Sequence, residues 1–276
     1  MNNSYGILDI RLLGPLSAQL NGRTVVVSAP KQRQVLALLA LNVGRVVTVS
    51  TLTEELWGDT PPRSYGTTLQ TYVLQLRNAL ASVMPENLVA RSILSTRHSG
   101  YLLEAGGCRI DVEEASSLAL AGRIAMEAHD YVTASKQLTS ALNIWRGPTL
   151  VDVRMGRVLA LEAEALEQTR LGVFERRVEA DLALGRHVDL LGELTLASAR
   201  NPMNENLCAL LMVTLYRTGY VARSLEAFHR LRSVLAEELG VEPCARLQRL
   251  QRAILSGDPA LESGPWLRGD GRSMIA

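Results

Sequence analysis

Lysine is almost missing from this chain of 276 residues: of 29 basic side chains only Lys31 and Lys136 are lysine. That bias points to a GC-rich genome more than to a binding device. Cysteine is scarce as well. Cys108, Cys208 and Cys244 are odd in number and far apart, without the paired spacing of a disulfide framework or a zinc site, and they read as buried thiols. The longest nearly apolar run, Val35 to Val43, is about half of what a bilayer span requires. The polar opening Met1-Asn2-Asn3-Ser4 carries no basic signal-peptide flank. A soluble, intracellular, cytoplasmic protein with no membrane partner is expected.

The patterns of catalysis are missing too. His98, His129, His187 and His229 show neither zinc-ligand spacing nor an H-E-x-x-H arrangement. No glycine-rich loop runs into Lys-Ser/Thr, which excludes the usual phosphate cradle. Glu54-Glu55, Glu113-Glu114 and Glu237-Glu238 fall on helical patterns and read as solvated faces. Neither enzymatic activity nor a cofactor is expected.

What is present is enough apolar material, 47% of residues, to fill one large core or two moderate ones. The formal net charge of +1 is unevenly spread: residues 1–105 hold nine Lys/Arg against six Asp/Glu, and the remainder holds 20 against 22. A nucleic-acid-facing first part is compatible with that contrast.

The first thirty residues read as short strands: Ile7 to Leu12, Ser17 to Leu20, and Thr24 to Val27 after an Asn21-Gly22 turn, a strong hairpin signal. Helical periodicity begins at Pro30 and places Val35, Leu38, Leu39 and Leu41 on one face. A strand over Val46 to Val49 follows, and Ser50 can cap a second helix bearing Leu52, Leu56 and Trp57, a residue expected in the core. Asp59-Thr60-Pro61-Pro62 breaks the pattern before a third helix over 64–81. On that helix Leu69, Tyr72, Val73, Leu76 and Leu80 share one side, and Thr67, Gln70, Thr71, Leu74, Arg77 and Asn78 lie around the other. After the Pro85 loop, Ile93 to Thr96 and Gly100 to Leu103 flank Arg97-His98-Ser99 as a final hairpin.

Ala105-Gly106-Gly107 is the candidate linker, and helical patterning dominates beyond Asp111. Segments near 111–128, 130–145, 157–184, 186–200, 204–218, 220–239 and 243–256 are separated by Gly, Pro and Asn. Gly185-Arg186-His187-Val188 with Leu191 and Leu194 aligns, 34 residues on, with Gly219-Tyr220-Val221-Ala222, Leu225 and Phe228. That spacing is the tetratricopeptide period. The expected architecture is a winged helix-turn-helix over 1–105, an all-α tetratricopeptide-like domain over 106–256, and a disordered tail over 257–276.

This order of elements resembles the Streptomyces antibiotic regulatory protein family of pathway-specific activators. The resemblance rests on Leu13-Gly14-Pro15-Leu16, the Pro30 to Leu41 helix, Glu55-Leu56-Trp57-Gly58-Asp59 running into Pro61-Pro62, and Thr67-Thr68-Leu69-Gln70-Thr71-Tyr72-Val73. Trp145-Arg146-Gly147-Pro148 and Glu237 to Pro243 look like landmarks of that family's bacterial transcriptional activator domain. The resemblance implies a response-regulator-like DNA-binding domain without a receiver. It also implies binding to direct repeats of double-stranded DNA near promoters of antibiotic biosynthetic genes, recruitment of RNA polymerase holoenzyme, and self-association on DNA. The recognition helix is then 64–81 and the wing 93–103. Family members often carry Ser and Arg where this chain has Leu74-Gln75, and Arg in place of Asn78, so this helix presents two fewer positive charges.

Individual residues keep two readings. Gln70 and Thr71 suit base edges or solvent equally well as residue types. Arg77 suits a phosphate or a surface ion pair, and Arg63 and Ser64 at the helix entrance suit a phosphate. Arg97 with His98 suits the minor groove or its backbone, or is a charged hairpin tip. Leu74, Thr67 and Asn78 complete the candidate face. A protein-interaction scaffold and a ligand-gated regulator are the alternatives of other classes.

Overall fold

A computed structural model describes residues 7–84 and 90–262. The Met1 to Ser4 opening, the Pro85 loop and residues 263–276 of the expected tail lie outside the described residues. The chain forms two compact units. One holds the chain up to Leu118 together with Ser140–Leu171, and the other holds Ala119–Thr139 and the chain from Gly172. This division does not follow the expected boundary at 105 and 106.

The first unit opens with an antiparallel hairpin, β1 (Leu8–Arg11) and β2 (Ser17–Leu20), followed by the short β3 (Arg23–Thr24). Asn21 and Gly22 both take positive φ, the geometry a two-residue turn between twisted strands requires. The expected linker leads into β7 (Cys108–Ile110), which pairs parallel to β1, so the sheet order is β3-β2-β1-β7. A three-residue strand preceded by two glycines is too short to show a period, and sequence reading passes over it.

Helices α1 (Pro30–Leu41), α2 (Val49–Trp57) and α3 (Tyr65–Ala81) form the helical part, with Pro30 in the first turn of α1. Thr48, not Ser50, caps α2, its hydroxyl accepting the Thr51 N–H at 3.1 Å. Strands β4 (Val46–Thr48), β5 (Leu94–Arg97) and β6 (Gly100–Leu103) make a second sheet of order β4-β6-β5. Gly100 lies opposite Thr48, and a Cβ there would stand 2.0 Å from the Val47 carbonyl oxygen, so only glycine lets the wing close on β4. The core joins both sheets and all three helices, and extends to Leu150, Val153 and Leu159.

Those last three residues show why the unit reaches beyond residue 105. Asp111 opens α4 (Asp111–Glu127) and accepts the backbone N–H groups of Leu12 at 2.8 Å and Leu13 at 2.9 Å, with the Arg146 guanidinium 3.7 Å away. Burial holds its carboxyl above the ordinary value, opposed by those N–H groups and by Arg146. Asp152 accepts the Leu16 N–H at 2.8 Å and pairs with Arg33 at 2.6 Å. Glu55, 2% exposed, accepts the N–H of Gly156 at 2.6 Å and of Leu159 at 2.9 Å, together with the Gln34 amide at 3.1 Å. It thereby caps α6 (Arg157–Ala183) from another helix. Glu55 is therefore not part of a solvated face; only its neighbour Glu54 is exposed.

The remaining helices are α5 (Tyr131–Leu142), α7 (His187–Arg200), α8 (Glu205–Arg217), α9 (Val221–Leu239) and α10 (Ala245–Ser256). Helices α7 and α9 start 34 residues apart. Gly185 and Gly219 precede them with φ of +76° and +83°, and Leu194 and Phe228 are buried at equivalent positions. The second unit is thus tetratricopeptide-like. Residues 257–262 depart from the expected tail: Gly257 closes α10 in the left-handed region, Pro259–Leu261 forms a 3-10 turn, and Leu261 is fully buried. The expectation of buried thiols holds for Cys208 only. Cys108 is half-buried and Cys244 exposed. Burial pushes the Cys108 thiol up to about 11 and Cys208 up to about 12, so both are poor nucleophiles. No helix among the described residues is long and apolar enough to cross a membrane.

Removing the Glu55 carboxylate strands two backbone N–H groups and one amide in the interior. Glu55→Ala should lower the unfolding free energy by about 3 kcal/mol or more, whereas Glu54→Ala, whose ion pair with Arg157 is exposed, should stay within about 0.5 kcal/mol. Chemical denaturation of the full chain checks both.

Candidate nucleic-acid interface

Helix α3 is held by one side only. Leu69, Val73, Leu76 and Leu80 are each 4% exposed or less. The half-buried Tyr72 stacks on Trp57, ring centroids 6.4 Å apart, so Trp57 borders the core instead of filling it. The opposite side is free: Arg63, Ser64, Thr67, Gln70, Thr71, Leu74 and Asn78 are all exposed. The heptad-like spacing that puts apolar residues inward forces these residues together outward.

Local chemistry differs from residue to residue. The Thr71 hydroxyl donates to the Thr67 carbonyl at 3.0 Å, which commits its one proton to the helix and leaves the oxygen only as an acceptor. Ser64 occupies the N-cap of α3 but makes no side-chain cap, and Arg63 stands beside it at the helix entrance. The Gln75 carbonyl oxygen accepts the Gln32 amide at 2.6 Å, which braces α3 against α1 and aims the Gln75 amide donors away. Gln75 was not among the candidates, since only the packing of α1 on α3 brings Gln32 to it.

Arg77 is half-buried and turned aside. Its Nε donates to the Leu94 carbonyl at 2.9 Å and its Nη2 to the Thr96 hydroxyl at 2.8 Å, both on the wing strand β5. Through these two bonds the guanidinium ties helix to wing. Its charge also opposes the upward shift that burial imposes on the Tyr101 phenol in β6. On β5, Arg97 pairs with Glu104 at 2.8 Å, and Glu104 also accepts the Ser95 hydroxyl at 2.8 Å. Arg97 and His98 are both exposed, with His98-Ser99 as the two-residue tip. Glu104 follows the strand directly and was not singled out, because no short-range pattern announces a cross-strand partner. No group of three or more His, Cys, Asp or Glu among the described residues could hold a metal ion.

Residues 23–103 match the C-terminal module of transcriptional regulatory proteins, and residues 110–255 match the bacterial transcriptional activator domain. The chain is 48% identical over 261 residues to the regulatory protein DnrI of Streptomyces peucetius, covering 94% of this chain and 96% of that one. It is 38% identical to the regulatory protein AfsR of Streptomyces coelicolor, over 93% of this chain and 25% of the relative. A solved structure of Mycobacterium tuberculosis EmbR in complex with a low affinity phosphopeptide is similar with a TM-score of 0.84 at 32% identity. That match covers 92% of this chain and 66% of the other.

The ties of Arg77 predict a structural phenotype without any DNA present. Arg77→Ala should lower stability by about 1 to 3 kcal/mol, the range for charged hydrogen bonds lost, and should speed amide exchange in β5. A surface arginine would leave both within about 0.5 kcal/mol of the parent.

Proposed function

The chain belongs to the Streptomyces antibiotic regulatory protein family of transcriptional regulators, and from that premise we propose that it activates a secondary-metabolite gene cluster by binding direct repeats in promoter DNA. The observation that carries the proposal is the exposed, uncharged, hydrogen-bonding face of α3 beside a wing that Arg77 holds in place. An α-helix with such a face fits the major groove, where donors, acceptors and methyl groups distinguish all four base pairs.

In this reading Thr67, Gln70, Thr71, Leu74 and Asn78 approach base edges. Arg63, Ser64 and the first-turn N–H groups of α3 take a phosphate, a helix N-terminus being suited to an anion. Arg97 and His98 approach the backbone or minor groove next to the helix, Arg97 exchanging Glu104 for DNA. Arg77 positions the wing. The match of residues 110–255 to an activator domain supports RNA polymerase holoenzyme as the second partner. Side-by-side occupancy of direct repeats brings copies together in one orientation, so self-association on DNA uses a heterologous patch in place of a two-fold one.

Genome-wide footprinting in the host should find a repeated element upstream of biosynthetic genes, and protection at scattered sites sharing no repeat would defeat the proposal. On isolated DNA, a duplex with two repeats should bind with higher affinity per site than one with a single repeat. Arg97→Ala should weaken binding to most sequences alike and reduce the salt slope by about one; an unchanged slope removes Arg97 from the contacts.

A further inference from the structure

We propose that Leu74 reads a thymine by packing on its C5 methyl group, an inference that rests on α3 being the DNA-reading helix. Leu74 is 53% exposed, although the four apolar residues that anchor α3 are almost completely buried. It lies one turn after Gln70 and one turn before Asn78, at the centre of the outward face. An isolated exposed leucine on an ordinary surface helix needs no account. Here its surroundings supply one.

The outward face from Thr67 to Asn78 carries no charge apart from Arg77, and that guanidinium is drawn to the Leu94 carbonyl and the Thr96 hydroxyl. Discrimination by this face therefore depends on amides, hydroxyls and apolar contact. Gln and Asn side chains are matched to adenine, whose N6 amino group donates and whose N7 accepts in the major groove. The thymine of the same pair projects its methyl group into that groove, beside whatever amide engages the adenine. A leucine flanked on the helix by two such amides is placed to cover the methyl. Thr71, one turn before Leu74 on its other flank, adds a second apolar surface, since its hydroxyl is bonded back to the helix.

The test uses the full chain and the DNA element found by footprinting, with each thymine in turn replaced by uracil, which lacks only the methyl. The wild-type chain should lose about fourfold in affinity at one position, the worth of one methyl group removed from water. Leu74→Ser should bind the thymine duplex more weakly, erase the difference between thymine and uracil at that position, and leave the denaturation midpoint unchanged. Leu74→Ala, a better helix former, repeats the comparison in case the serine variant is less stable. If the variants bind DNA with the same thymine-to-uracil ratios as the wild type, methyl reading by Leu74 is wrong while DNA reading by α3 stands. If the wild-type chain protects no DNA element, both fail together.

Discussion

Backbone N–H groups shut away from water must find acceptors, and in the first unit that requirement is met by carboxylates from distant parts of the chain. Asp111 serves Leu12 and Leu13 across about a hundred positions, the Leu12 separation being 99. Asp152 serves Leu16 across 136, and Glu55 serves Gly156 across 101. Each bond joins the strands and helices of the winged helix to residues that follow it in sequence. Glu55 does for α6 what a local Ser or Asp does at most helix starts, because Gly156 has no side chain to cap with. Nor can Gly156 be exchanged for a residue that has one: a Cβ there would lie 2.1 Å from the Glu55 carbonyl oxygen. The carboxylate and the glycine are one device in two pieces.

The candidate reading surface inherits its geometry from this arrangement. The core that fixes α1, α2 and α3 also contains Leu150, Val153 and Leu159, so the helices that aim α3 outward rest partly on residues 140–171. From there the order passes by side-chain bonds: Gln32 of α1 braces Gln75 of α3, and Arg77 of α3 ties the wing. The exposed face itself contributes little to holding the helix. Folding therefore constrains its residues little, the exposed Gln70, Leu74 and Asn78 among them.

Much of this was legible in the sequence where a period or a turn signal is local. Asn21-Gly22 announced its hairpin, the two sides of α3 were separable by helical spacing, and the 34-residue offset between Gly185 and Gly219 placed α7 and α9. What escaped is non-local. Glu54 and Glu55 are adjacent and identical in type, yet one is solvated and the other buried under α6, a difference that only tertiary packing creates. The Ala105-Gly106-Gly107 stretch has the composition of a linker, but Leu8 donates its N–H to the Gly107 carbonyl at 2.7 Å and the next residues form β7. Arg77 was assigned to the outward face by its helical angle, and a long side chain then turned away from that angle toward β5. Angles place Cα atoms well and long side chains poorly.

The central claim is that the winged helix and residues 140–171 form one cooperative core. Native-state hydrogen exchange of the full chain tests it at the amides themselves. The Gly156 and Leu159 N–H groups should exchange only through the same global opening as Leu38 and Leu39 in the middle of α1, with equal opening free energy and equal denaturant dependence. Exchange of Gly156 and Leu159 through a separate, lower-energy opening while α1 stays protected would contradict it.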